Sequence, residues 1–262
     1  MKIAIIGGTF WDIFIYGEEA HRVEILQSPG GSGLNVAFGL YRLGFEVAFF
    51  SNLGRDLYAS EIVRILQGFG FETCGMKVRE GETGLHIALN EKPVGVNRGV
   101  NRLQVEFDAL SEYDFVFVNC EVPPETIRRV CREAKEVFLD LGPLSSVDPA
   151  DMDGKIFVIG NERECSKKRC DVIKLGPKGA RWGEVFVRGN GVESPYRIGS
   201  GDVFDVVFLA LLLKGKEKRE IMEWAVSVSQ DLSGRVKGAF NKMLSLEQFD
   251  PFHKVLFEDT HN

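Results

Sequence analysis

The sequence contains no run of about 18 apolar residues, so no membrane-spanning helix is expected and no membrane partner. It has no stripe of Lys and Arg, and its net charge is -6, which argues against a nucleic-acid backbone as main partner. Lys167-Lys168-Arg169 and the cluster from Lys214 to Arg219, interrupted by Glu217, read as solvated helix ends. Cysteine is scarce: the five residues are odd in number and lack C-x-x-C spacing, which predicts reduced thiols in a cytoplasmic protein. His21, His86, His253 and His261 match no metal-ligand spacing and are read as structural or surface groups. No cleavable leader is expected, because the start runs straight into the strand-like Ile3-Ala4-Ile5-Ile6. Two nucleotide-binding fingerprints are also missing. Gly7-Gly8 lacks the G-x-G-x-x-G spacing of a dinucleotide site, and neither Gly154-Lys155 nor Gly215-Lys216 has the glycine spacing or following hydroxyl residue of a P-loop.

What is present is an ordinary globular composition, 44% hydrophobic with 20 phenylalanines in 262 residues, enough for one large α/β domain or two small ones. Short apolar runs alternate with helical patterns. Strands are expected at residues 2–7, Val47 to Ser51, Phe115 to Val118, Val137 to Asp140, Ile156 to Ile159, Val172 to Leu175 and Val185 to Val187. Helices are expected from Ser32 to Leu43, from Leu57 to Leu66, after Pro123-Pro124, from Val203 to Gly215, and in a last region from Glu220 to Lys237. Ile13 to Tyr16, His21 to Leu26 and Leu85 to Leu89 read as strands of a small separate sheet. This alternation predicts a mostly parallel sheet covered on both faces, with ligands at the carboxyl ends of its strands.

The polar motifs collect at those ends. Gly199-Ser200-Gly201-Asp202 opens a long apolar helix, where unpaired amides and the positive end of the dipole suit a phosphate. Asp202 is then either an ordinary helix cap or a base that takes a proton from an attacking hydroxyl. Asn35, behind the glycines of Pro29-Gly30-Gly31-Ser32-Gly33, is either a cap or a donor and acceptor for a polyhydroxy ligand. Asn161-x-x-Glu164 has capping-box spacing, and the competing reading gives Glu164 to Mg2+ near a nucleotide phosphate.

In this order the motifs resemble the ribokinase-like (PfkB) carbohydrate kinases over nearly the whole chain. Gly30-Gly31-Ser32-Gly33-Leu34-Asn35 is similar to the family's N-terminal signature, Gly54-Arg55-Asp56 to its G-x-D element and Asn161-x-x-Glu164 to its N-x-x-E motif. Leu175-Gly176-Pro177-Lys178-Gly179 is similar to its L-G-x-x-G turn, and Gly199 to Asp202 to its G-A-G-D. The resemblance implies a three-layer αβα sandwich with a mostly parallel sheet, a single domain over residues 1–262, and a small β-sheet lid formed by about 13–28 and 83–101. It implies ATP-dependent phosphorylation of a sugar or sugar-like polyol, with a nucleoside kinase or a non-catalytic sugar- or nucleotide-binding regulator as alternatives.

Carried over residue by residue, Asp202 becomes the general base and the amides of Gly199, Ser200 and Gly201 an anion hole. Asp12, Gly31, Asn35 and Glu121 hold substrate hydroxyls. Asn161, Lys174, Gly176 and Gly179 fall to the nucleotide, and Glu164 with Asn161 to Mg2+. The segment between Ser227 and Asn241 is a wall for the base of the nucleotide, and a homodimer through the lid is a further implication. One departure stands out: Tyr196-Arg197-Ile198 replaces the family's D-T-x, and the missing acid, which often serves a monovalent-cation site, argues against activation by K+. Arg197 is the candidate for fixed positive charge there instead.

Overall fold

A computed structural model of the protein describes residues 2–142, 147–152 and 154–257. His261 lies outside them, as does the side chain of His253. The chain order is β1 (Ile3–Ile6), β2 (Phe10–Tyr16), β3 (Glu24–Gly30), α1 (Ser32–Arg42), β4 (Val47–Leu53), α2 (Leu57–Gly68), β5 (Met76–Val78), β6 (Gly84–Leu89) and β7 (Lys92–Asn97). It continues with β8 (Phe115–Asn119), α3 (Pro124–Glu133), β9 (Val137–Asp140), β10 (Ile156–Asn161), β11 (Val172–Lys174), β12 (Gly179–Trp182), β13 (Val185–Arg188), α4 (Ser200–Leu213), α5 (Lys218–Arg235), α6 (Ala239–Ser245) and α7 (Asp250–Phe257).

Nine strands form the main sheet in the order β13-β12-β11-β10-β9-β8-β1-β4-β5, parallel except for the β11-β12-β13 edge. The central strands are apolar throughout because both faces are covered. Successive residues of β1 serve different cores: Ile3 and Ile5 join the layer holding α1, α2 and α4 to α7, whereas Ala4 and Ile6 face the layer of α3. Three layers result. Each fully buried Phe or Leu in them, such as Phe117 or Leu40, contributes about 1.5–3 kcal/mol to stability. β1 lies between β4 and β8, where the strand order reverses. Such a switch point opens a crevice at the carboxyl ends.

A separate four-stranded sheet, β3-β2-β6-β7, stands off the main body. It is larger than its expected strands. β2 starts at Phe10 and so includes Asp12, β3 runs on through Pro29-Gly30, and β7 pairs antiparallel with β6. Two helices, α6 and α7, follow the region expected to be the last. The cysteine expectation needs correction for one pair, because Cys165 and Cys170, with Cα atoms 5.8 Å apart in the loop between β10 and β11, form a disulfide. That short loop returns the chain on itself, so the two side chains meet. Cys74, Cys120 and Cys131 are outside any disulfide.

Candidate active site

The site is assembled where the end of β1 meets the start of α1. A Cβ on Gly7 would lie 2.5 Å from the Gly33 Cα, and one on Gly33 equally close to the Gly7 Cα. Only two glycines allow this approach, which explains Gly7 without a dinucleotide, while a Cβ on Gly8 would meet Glu121 Oε2 at 2.8 Å. Gly31 stands at the cap of α1 with no side-chain bond to the helix. Instead the Ser32 amide donates to Glu121 Oε2 at 2.9 Å, so a carboxylate from the loop after β8 sits on the positive helix end.

Ser32 then joins that carboxylate to a second one. Its hydroxyl donates to Asp202 Oδ1 at 2.7 Å, and Asn35 Nδ2 donates to Oδ2 at 2.7 Å. Asp202 is not the cap of α4. Gly199 occupies the cap position at φ 85, in the left-handed region, and a Cβ there would meet the Ala239 Cβ at 2.5 Å. Burial pushes the Asp202 carboxyl up from its ordinary range, with the Ser32 and Asn35 bonds opposing. Burial likewise pushes Glu121 up to about 7, reinforced by the charges of Asp202 and Asp12. Asn35 Oδ1 is buried and has no protein partner among the described residues, an acceptor available to a hydroxyl.

Asp12 is buried on β2, facing Gly30 so closely that a Cβ on that glycine would fall 2.1 Å from Oδ2. His86 on β6 stands beside it, Nδ1 3.4 Å from Oδ1. Burial favours the neutral imidazole, but the Asp12 bond and charge outweigh it and raise the His86 pKa. The structure therefore brings Asp12, Gly31, Asn35, Glu121 and Asp202 to one crevice, with the small sheet forming one wall. Ser32, not singled out in the sequence, belongs to it as well, and so does His86, which the sequence reading had left as a structural or surface group.

On the other side of the α4 start lies a cavity of about 360 Å3. Its lining includes Lys174, Gly176, Gly179, Ser200, Gly201 and Gln230. Gly176 has open space where a side chain would be, whereas Gly179 is pinned by Val187 O, 2.0 Å from where its Cβ would lie. Ser229, Gln230 and Ser233 place part of the expected Ser227 to Asn241 wall there. A larger hollow of about 900 Å3 lies at the opposite ends of the strands, beside Lys2 and Val47, away from all these groups.

Three details differ from a simple glycine hole. The Ser200 amide donates to Arg197 O at 3.1 Å, so of the three amides expected to form the hole only those of Gly199 and Gly201 lack an acceptor among the described residues. Lys174 Nζ is held by Asp140 Oδ1 at 3.0 Å and by Asp205 Oδ2 at 2.9 Å, a buried triad under the turn. Burial alone would lower its pKa, but the charges of Asp140 and Asp205 raise it, and the ammonium stays charged. Asn161 and Glu164 make the reciprocal bonds of a capping box: Asn161 N to Glu164 Oε2 at 2.8 Å and Glu164 N to Asn161 Oδ1 at 3.0 Å.

A carboxylate does stand beside Tyr196-Arg197-Ile198, but it comes from Glu91 at the β6-β7 turn. Oε2 accepts from the Ile198 amide at 2.7 Å and Oε1 from the Tyr16 hydroxyl at 2.6 Å. Arg197 Nε donates to the Glu91 carbonyl at 3.3 Å. No pattern in the sequence signals this, because the partners are 107 positions apart.

A family model described as "pfkB family carbohydrate kinase" matches residues 2–150. A ribokinase of Bacillus subtilis is 26% identical over 86% of this chain and 90% of its own length. Among solved structures, a ribokinase from Thermotoga maritima superposes with a TM-score of 0.79 at 20% identity, over 96% of this chain and 99% of that one. The Arabidopsis thaliana ribokinase complexed with ribose and ATP gives 0.76 at 20% identity, over 98% and 99% of the two chains.

Proposed function

The chain belongs to the pfkB family of carbohydrate kinases, and from that premise we propose that it transfers the terminal phosphoryl group of ATP to a hydroxyl of a sugar or sugar-like polyol, with Asp202 as the general base. The observation that carries the reading is the placement of Asp202: first turn of α4, both oxygens ordered by Ser32 and Asn35, between the polar crevice and the cavity. A carboxylate also has lone pairs beyond those two bonds, so an acceptor hydroxyl can donate to it.

In this account Asp12, Asn35 and Glu121 hold the acceptor's other hydroxyls, with the amide of Gly31 at the crevice floor. The solved relative with ribose and ATP makes a pentose the first acceptor to test. ATP lies in the cavity along Gly176 and Gly179, with its base toward Gln230. As the hydroxyl attacks, its proton passes to Asp202, the bond from phosphorus to the bridging oxygen of ADP breaks, and the amides of Gly199 and Gly201 receive the developing negative charge. The small sheet acts as a lid that keeps out water, the competing acceptor.

Mg2+ binds through one or two carboxylates and the phosphates of a nucleotide. Glu164 with Asn161 would hold it, and when bound it neutralises phosphate charge. Burial raises the Glu164 pKa, and the nearby Asp140 charge adds to this, so a cation is welcome there. A cytoplasmic setting, where ATP is supplied, follows from the same reading.

The test is a coupled assay for ADP release from ATP over a panel of monosaccharides, polyols and nucleosides. Turnover is expected with a pentose or a related polyol and not without an acceptor. Turnover with nucleosides alone would move the chain to the nucleoside kinases, and binding of both ligands without any turnover would make it a regulator.

A further inference from the structure

We propose that Lys242 is a built-in monovalent cation of the phosphoryl-transfer site: its ammonium grips the carbonyl of Ile198 and, through that peptide, aims the Gly199 amide at the transferred group. The inference rests on the kinase reading above and concerns a residue that reading does not use.

Lys242 lies in the middle of the short helix α6 and is wholly buried. Its Nζ donates to Ile198 O at 2.8 Å and, more weakly, to Gly238 O at 3.5 Å. Among the described residues no carboxylate reaches it within ion-pair distance. A buried ammonium is costly unless compensated, and Lys242 is compensated by backbone carbonyls rather than by a salt bridge. Carbonyl oxygens around a single positive charge are the surroundings that proteins give to a bare K+. Here the charge is covalently tethered.

Its position gives the arrangement a use. Ile198 O and the Gly199 amide belong to one planar peptide, and the chain has no cis peptide bond among the described residues, so the two groups point in opposite directions. Holding the oxygen therefore orients the amide, and a cation on the oxygen polarises the peptide and strengthens the N–H as a donor. The other side of Ile198 is fixed too, by the Glu91 carboxylate on its amide. The start of α6 also packs directly on the turn through Ala239 and Gly199, so one lysine ties together the openings of α4 and α6.

The acidic side chains facing Lys242 are Glu91 from the β6-β7 turn of the small sheet and Asp202 from α4. Burial lowers the lysine to about 8 against the pull of those two charges. The ammonium is the main form at neutral pH. Arg197, the sequence's candidate for fixed charge, spends its Nε on the Glu91 carbonyl. Lys242 is thus a positioning residue that also supplies charge.

The test begins with wild-type rates in Na+, K+ or tetramethylammonium as the sole added monovalent cation, expected to agree within about twofold. In Lys242→Met, kcat is expected to fall by about 30-fold or more while the acceptor KM changes by less than about threefold. Methylammonium or K+ is expected to restore about tenfold of the rate of Lys242→Ala, saturably, and to do nothing for wild type. Affinity for the non-hydrolysable analogue AMP-PNP, measured by calorimetry, should drop about tenfold in Lys242→Met while ADP affinity holds, because only the former places a phosphoryl group at the turn. A strict K+ requirement of the wild type, an undiminished kcat in Lys242→Met, or unchanged AMP-PNP affinity would overturn the proposal. Should Lys242→Met melt below the assay temperature, the wild-type cation series and the rescue of Lys242→Ala decide. Absence of wild-type turnover with every acceptor would count against the kinase reading instead, and the AMP-PNP comparison would still judge Lys242.

Discussion

Ser32 donates its hydroxyl to Asp202 at 2.7 Å across 170 positions of sequence, and its amide to Glu121 at 2.9 Å. One residue at the start of α1 therefore ties the proposed base to the proposed substrate-binding carboxylate. The Ser32 bond stabilises the ionised form of Asp202, against the burial that raises its pKa. Ser32→Ala removes that support, so the acid limb of the pH profile of kcat/KM should move to higher pH, with kcat at neutral pH down by about 3- to 30-fold. A profile with an unmoved limb would separate Ser32 from Asp202.

Glu121, pushed up to about 7 by burial and by the charges of Asp202 and Asp12, has consequences for stability. Its folded pKa lies above the unfolded value of 4.5, so the native state binds more protons between those two values and loses stability as pH rises through them. Above pH 7 the loss is complete. Glu121→Gln should therefore melt like wild type near pH 4 and higher than wild type at pH 8, by up to about 3 kcal/mol, while acceptor affinity falls. Thermal melts at the two pH values check it.

Lys174 is the shared partner of two buried carboxylates, Asp140 and Asp205, and is itself mostly buried. Lys174→Met leaves them uncompensated. A cost of about 3–5 kcal/mol is expected, which at this chain length lowers Tm by roughly 6–20 °C. Adding Asp205→Asn to that variant should recover part of the loss, and calorimetry measures both.

Gly30 faces Asp12 with no room for a methyl group. Gly30→Ala should displace the Asp12 carboxylate and raise the acceptor KM by about tenfold or more, with a smaller effect on kcat, since Asp202 is untouched. Steady-state kinetics at saturating ATP distinguishes the two parameters.

The central architecture was legible in the sequence because its strands are continuous apolar runs, such as Phe115 to Val118, separated by amphipathic helices with glycine or proline at their ends. β7 was not, since Lys92-Pro93-Val94-Gly95-Val96-Asn97 is mostly exposed and carries both a proline and a glycine. β12 was hidden by the glycine turn that it begins in, and the Cys165-Cys170 pairing by the odd cysteine count. Gly31, Asn35 and Asp202 could be singled out because their motifs open helices, and Glu121 and Asn161 because theirs end strands, whereas Asp12 lies inside β2. Glu91 and Lys242 could not, because what ties them to the turn is the amide and the carbonyl of Ile198, backbone groups that leave no mark on residue type. Nor could the triad under the turn, in which Lys174, expected at the nucleotide, first answers to Asp140 and Asp205.

The measurement that bears most directly on the whole account is the comparison of wild type with Asp202→Asn, using the acceptor found in the panel. The substitution keeps the size of the side chain and its contact with Ser32, and removes the ability to take a proton. It should lower kcat by about 10³-fold while calorimetry shows acceptor and ATP affinities within about threefold of wild type. An Asp202→Asn enzyme that keeps its kcat within about tenfold would show that the proton goes elsewhere, and the role given to Asp202 would be wrong.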